Sequence, residues 1–118
     1  MKVVKVEPMK EAYVKEIDPG LKSLQTEVDG YIQAIYPFKD NVGIVCNEDA
    51  KLIGMELNRA LYYEGEIYDI VAGPFLVVGL TEDDFGDLSD ELAEKYANLF
   101  KEPEIFVRVN GHIAAMKV

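Results

Sequence analysis

The segment Ile67–Gly79 has the sequence IYDIVAGPFLVVG, in which two runs of strand-forming residues flank a turn. Ile67–Val71 and Phe75–Gly79 are rich in valine, isoleucine and phenylalanine, the residues that fit a pleated surface. Ala72-Gly73-Pro74 separates them by too few residues for a crossover helix. The segment therefore predicts two sequential strands and points towards an antiparallel sheet.

Further strands are predicted on both sides of this segment. Val42–Cys46 is an apolar run of strand length and is expected near the centre of the sheet. Near the C-terminus, Asn110-Gly111 is the strongest two-residue hairpin signal in the chain. The other predicted strands are Val3–Val6 and Ala12–Ile17 as a hairpin, Tyr31–Tyr36, a short Lys51–Met55, Glu104–Val109 and His112–Met116.

Two short helices complete the prediction. The first is expected to use Asp18 as N-cap and Pro19 as its first residue, and to stop at Gly30. The second is expected to begin at Ser89 and to end before Pro103. Leu57–Leu61 is ambiguous between a helical turn and an irregular loop.

These elements predict an α+β fold, because strands and helices do not alternate regularly. We expect one domain over residues 1–118 with a mostly antiparallel, curved sheet of about six to eight strands. Both helices are expected to pack on one face of that sheet.

The charge of the chain restricts its partners. The sequence has 22 acidic and 12 basic residues, and residues 40–94 hold fourteen acids against only Lys51 and Arg59. Electrostatic repulsion should therefore prevent direct binding to nucleic acid or to anionic membranes. The single cysteine, Cys46, and the lack of a signal peptide or membrane span in the sequence predict a cytoplasmic protein.

Most catalytic chemistry lacks support in the residue inventory. His112 is the only histidine and Cys46 lies in an apolar run, so we expect no metal site and no catalytic residue. No glycine-rich nucleotide motif occurs, and we expect no cofactor. The acids of residues 82–94 fit a solvated helix start better than a calcium loop.

One set of polar residues is a candidate ligand-binding site. Arg59 is isolated among acids, and its guanidinium could bind a carboxylate or a phosphate with two hydrogen bonds. Alternatively, Arg59 could pair with Asp69 or Glu66 and serve the structure. The complete candidate set is Asn47, Asn58, Arg59, Tyr68 and Asp69.

The amino-acid sequence also resembles a bacterial family, the domain of unknown function 3846. The resemblance covers residues 1 to about 101 and is carried by Gly30-Tyr31-Ile32, Ile35–Phe38, Val45–Glu48, Leu57–Leu61, Tyr68–Gly73 and Leu88–Glu91. It implies a setting in phages or conjugative elements and brings no established activity.

Three functional hypotheses follow, in order of preference. The first is a non-enzymatic accessory module that binds a protein partner. The second is an acidic decoy that imitates DNA towards a host defence protein. The third is a small-ligand binder or enzyme centred on Arg59. The sequence does not indicate the oligomeric state.

Overall fold

Ten strands and two helices form the chain, and the computed structural model describes all of residues 1–118. The elements, in chain order, are β1 (Lys2–Val6), β2 (Tyr13–Glu16), α1 (Leu21–Val28), β3 (Ile32–Ile35), β4 (Val42–Asn47), β5 (Leu57–Tyr63), β6 (Glu66–Ala72), β7 (Phe75–Leu80), β8 (Phe85–Gly86), α2 (Asp90–Leu99), β9 (Glu104–Val109) and β10 (His112–Lys117).

A six-stranded sheet is the centre of the fold. Its order is β2-β1-β7-β4-β3, with β8 paired to β7, and every pairing is antiparallel. Two further hairpins, β5–β6 and β9–β10, form separate two-stranded sheets. The predicted α+β class and mostly antiparallel sheet are confirmed.

The central strands are buried on both faces, and this overturns the expected position of the helices. Val4, Ile44 and Phe75 pack towards α2 and the β5–β6 hairpin. Their neighbours along the strands, such as Val45 and Leu76, pack towards α1 on the opposite face. The prediction that both helices share one face is therefore wrong. Continuous apolar runs have two hydrophobic faces, and each face needs its own cover.

Two segments differ from the predicted secondary structure. Lys51–Met55 is not a strand, because Lys51–Gly54 belongs to a turn held by local bonds such as Ile53 N–H to the Asp49 carbonyl at 3.0 Å. Leu57–Leu61 is neither helical turn nor loop, because it forms most of β5 and pairs with β6. Because Asn58 and Arg59 interrupt the apolar pattern of this segment, the sequence alone did not reveal a strand here.

The predicted N-cap is wrong for α1 and correct for α2. Asp18 does not cap α1, which begins at Leu21 after Gly20 without a side-chain cap. At α2 the prediction is confirmed, because the Ser89 hydroxyl accepts a hydrogen bond from Leu92 N–H at 3.1 Å. Neither helix is long and apolar enough to cross a membrane.

Replacing Ser89 with alanine should lower the free energy of unfolding by about 1 kcal/mol, because the first turn of α2 loses its side-chain acceptor. Urea denaturation followed by circular dichroism measures this change. Ser23→Ala within α1 is the control and should have little effect, because Ser23 is not an N-cap. Equal losses in the two variants would contradict the role of Ser89 as a cap.

Candidate functional site

Strand β5 carries Arg59 into the interior, where its side chain has no exposure to solvent. Nε donates to the Phe100 carbonyl at 3.1 Å, and Nη2 donates to the carbonyls of Phe100 at 2.9 Å and Lys10 at 2.7 Å. Nη1 donates to the backbone and side-chain oxygens of Asn58 at 3.2 and 2.8 Å. A guanidinium has five N–H donors. All five are therefore used within the protein, and none is left for a ligand.

Asn58 continues this network into the central sheet. Its side-chain nitrogen donates to the Val6 carbonyl at 2.9 Å and to the Gly73 carbonyl at 2.8 Å. Gly73 has φ of 73°, and a Cβ there would lie 2.6 Å from the sulfur of Met55. Asn58 thus joins the end of β1 to the turn between β6 and β7.

No carboxylate forms an ion pair with Arg59, so the predicted pairing with Asp69 or Glu66 is wrong. Asp69 pairs with Lys51 instead, at 2.7 Å. Burial lowers the pKa of the Arg59 guanidinium, and the nearby Glu104 carboxylate offsets only part of this effect. Glu104 itself accepts the Ala60 N–H at 3.1 Å. Backbone carbonyls therefore solvate the buried cation in place of water.

Asn47 joins the end of β4 to the end of α1. Its side-chain nitrogen donates to the carbonyls of Val28 and Asp29 at 3.1 and 3.2 Å, and its oxygen accepts Asp49 N–H at 2.8 Å. A Cβ on Gly30 would lie 2.7 Å from that nitrogen. Glycine at position 30 therefore leaves the space that Asn47 occupies.

A pocket of about 220 Å³ lies beside Asn47, between β3, β4, β6 and the turn after β4. Asp69, Lys51 and Cys46 also line it. Burial, with a smaller contribution from Asp69, raises the pKa of the Cys46 thiol, which makes it a poor nucleophile. Tyr68 does not line this pocket and is half exposed on the neighbouring surface.

The five candidate residues are therefore not one site. Asn58 and Arg59 are buried and cross-link the scaffold, while Asn47 and Asp69 share a pocket and Tyr68 lies outside it. No group of three or more histidine, cysteine, aspartate or glutamate side chains is placed to hold a metal ion.

Lysines are interleaved with the acidic residues. Several acids are neutralised by a neighbouring lysine. These pairs are Lys2–Asp90, Lys5–Glu27, Lys15–Glu27, Lys51–Asp69 and Lys95–Asp40.

The β9–β10 hairpin has a surface that the sequence reasoning did not single out. The register pairs Ile105 with Met116, Val107 with Ala114 and Val109 with His112, so these six side chains share one face. All except the half-buried Ala114 are exposed, and Val109 and Met116 are 50% and 51% exposed. Residues 104–109 place Ile105, Val107 and Val109 on one face of a strand, but the sequence alone does not tell which face points outward. We call the five apolar residues of this face, Ile105, Val107, Val109, Ala114 and Met116, the outer hairpin face.

Comparison with known proteins places the chain in a family. A family model described as domain of unknown function (DUF3846) matches residues 1–101, which include both helices and the whole six-stranded sheet. No curated protein and no solved structure matches the chain. The hairpin β9–β10 lies beyond the matched residues. The chain therefore belongs to the DUF3846 family.

Proposed function

We propose that the chain is a non-enzymatic protein-binding module and that the outer hairpin face contacts its partner. The observation that carries this proposal is the reversed polarity of the hairpin. In a hairpin with one solvated face, that face is normally polar. Here it is formed by aliphatic side chains and methionine apart from His112 beside the turn, whereas Glu104 is turned inward. A group of exposed apolar residues of this kind is typical of an interaction surface.

The charge of the hairpin favours one kind of partner. Beyond Glu104 the chain contains Arg108 and Lys117 and no acidic side chain, whereas the whole chain has a net charge of −10. By the register, Arg108 and Lys117 share the face of Glu104, so the outer hairpin face itself contains no carboxylate, lysine or arginine. The proposed partner is therefore a protein that presents an uncharged apolar patch.

The setting of this interaction is also a proposal. The family resemblance supports a role in phages or conjugative elements, and the single free cysteine supports the cytoplasm. The arrangement around Arg59 supports a non-enzymatic role, because that cluster stabilises the fold and has no free donors.

Affinity capture from a lysate of the host at near-physiological salt tests the proposal. Val107→Asp places a charge in the outer hairpin face and should weaken binding of the captured partner at least about tenfold. Leu21→Asp is the matched control, because Leu21 is an exposed aliphatic residue on α1, on the other side of the sheet. Binding is then measured with the purified partner by titration calorimetry.

The control must retain full binding, and circular dichroism must show that both variants are folded. A captured protein that binds wild type and Leu21→Asp but not Val107→Asp supports the proposal. Capture of no protein, or of a set unchanged by Val107→Asp, contradicts it.

A further inference from the structure

Strand β3 is an edge of the six-stranded sheet, and half of its backbone groups face away from the protein. Glu48 N–H donates to the Tyr31 carbonyl at 2.9 Å, which fixes Tyr31 and Glu48 as a hydrogen-bonded pair. Since such pairs alternate in an antiparallel ladder, Gln33 also bonds to β4, while Ile32 and Ala34 do not. The N–H and C=O groups of Ile32 and Ala34 therefore point outward.

Apart from its short length of four residues, this edge has none of the usual protective devices. Natural edge strands are usually blunted by charges, proline or bulges, because free backbone groups invite another strand. The segment Tyr31–Tyr36 contains no charged residue and no proline, and the side chains of Tyr31 and Tyr36 are 70% and 61% exposed. The open groups require an extended strand as their partner.

We propose that a second copy of this chain supplies that strand, with the two β3 strands antiparallel across a twofold axis at Gln33. Ile32 of each copy then lies opposite Ala34 of the other, and the outward backbone groups form four hydrogen bonds. Gln33 meets Gln33 at the axis, where two amides can donate to each other. Tyr31 lies opposite Ile35 of the second copy, an aromatic and β-branched pair that favours sheet formation. The result is a continuous sheet through both copies.

The opposite edge of the sheet is unsuited to the same pairing. Ile17 N–H donates to the Met1 carbonyl at 2.9 Å, so Val14 and Glu16 carry the outward backbone groups of β2. A twofold pairing of β2 would place Lys15 opposite Lys15, and like charges directly opposite are unfavourable. The uncharged β3 is therefore the edge that can accept a copy of itself.

The net charge determines how this dimer should respond to salt. Each copy has a charge of −10, and two copies repel one another over the distance that salt screens. The β3 contact itself contains no charge, so salt does not weaken it. Association should therefore strengthen as the sodium chloride concentration rises. This inference is independent of the proposed role of the outer hairpin face.

Sedimentation equilibrium over a range of protein concentrations tests the dimer. Wild type should shift from the 13.3 kDa chain mass towards twice that value. Ala34→Pro removes one outward N–H per copy without breaking a bond to β4, and should raise the dimer dissociation constant at least about tenfold. Val14→Pro makes the same change on the outward side of β2 and should dimerise like wild type. A wild-type protein that stays monomeric up to about 1 mM, or an Ala34→Pro dimer of unchanged affinity, overturns the proposal.

Disulfide trapping gives a second test that does not depend on proline. In a Cys46→Ala background, Gln33→Cys places two thiols directly opposite at the axis, where a bridge can form. Ala34→Cys places them diagonally, at about 7–8 Å between facing positions, and should cross-link at least about tenfold more slowly. Faster trapping at position 33 supports the pairing. Equal rates, or no dimer at either position, contradict it.

Discussion

Arg59→Met is expected to lower the free energy of unfolding by at least about 3 kcal/mol. The substitution keeps a long side chain but removes every donor of the guanidinium. The carbonyls of Phe100 and Lys10 and the side-chain oxygen of Asn58 then lose their bonds from Arg59. A buried acceptor left unsatisfied costs about 1–3 kcal/mol. Because domains are stable by only about 5–15 kcal/mol, the loss is a large part of the total.

Urea unfolding followed by circular dichroism and by tyrosine fluorescence measures this loss, since the chain has no tryptophan. Arg59→Lys keeps the charge and fewer donors, so it should recover only part of the stability. Arg108→Met on the exposed hairpin is the matched control and should change stability by less than about 0.5 kcal/mol. If Arg59→Met and Arg108→Met unfold at the same urea concentration, Arg59 is not the structural cross-link described above.

Glu27→Gln is expected to lower the free energy of unfolding by about 3 kcal/mol. Glu27 accepts hydrogen bonds from Lys5 at 3.0 Å and from Lys15 at 2.9 Å, and the side chains of Lys5 and Glu27 are 8% and 13% exposed. Removing one charge of a buried pair leaves the other uncompensated, at a cost of about 3–5 kcal/mol. Glu16→Gln is the control, because the ion pair of Glu16 with the N-terminus is largely exposed and such pairs contribute about 0–1 kcal/mol.

The same variant gives a pH dependence with a defined sign. Burial alone would raise the pKa of the Glu27 carboxyl, but the hydrogen bonds from Lys15 and Lys5 hold it below its ordinary value of 4.5. A carboxyl with a depressed pKa in the folded state stabilises the protein above 4.5, and this contribution is lost as the pH falls through the folded pKa. The stability difference between wild type and Glu27→Gln should therefore be constant near neutral pH and shrink below about 4.5. A difference that grows on acidification would contradict the ion pair.

Local signals in the sequence predicted local structure well. Asn110-Gly111 marks the hairpin because both residues adopt positive φ, 49° and 81°. Ser89 marks the start of α2 because its hydroxyl reaches a free N–H of the first turn. The apolar runs of β4 and β7 marked buried strands. Each of these signals depends on neighbours in the chain.

The errors arose where distant contacts decide the structure. Phe75–Leu80 is apolar on both faces, so its composition does not tell on which side a helix packs. Arg59 appeared to be a ligand residue because no sequence pattern shows that its acceptors are carbonyls 41 and 49 residues away. Asn47 and Asp69 come together only because β4 and β6 meet beside the same pocket. Residues that are far apart in the chain cannot be recognised as partners from a local sequence pattern.

The distance between Arg59 and its acceptors also determines when the chain can finish folding during synthesis. The guanidinium emerges from the ribosome with the carbonyl of Lys10 already made, but the carbonyl of Phe100 follows 41 residues later. The Lys101 carbonyl, which accepts Ala12 N–H at 3.2 Å, is made immediately afterwards. A nascent chain that stops before this point contains a charged strand without its full set of acceptors. Folding of the six-stranded sheet and its helices must therefore wait for the end of α2, and the Ala60 N–H of β5 obtains its acceptor, the Glu104 carboxylate, only when β9 is added.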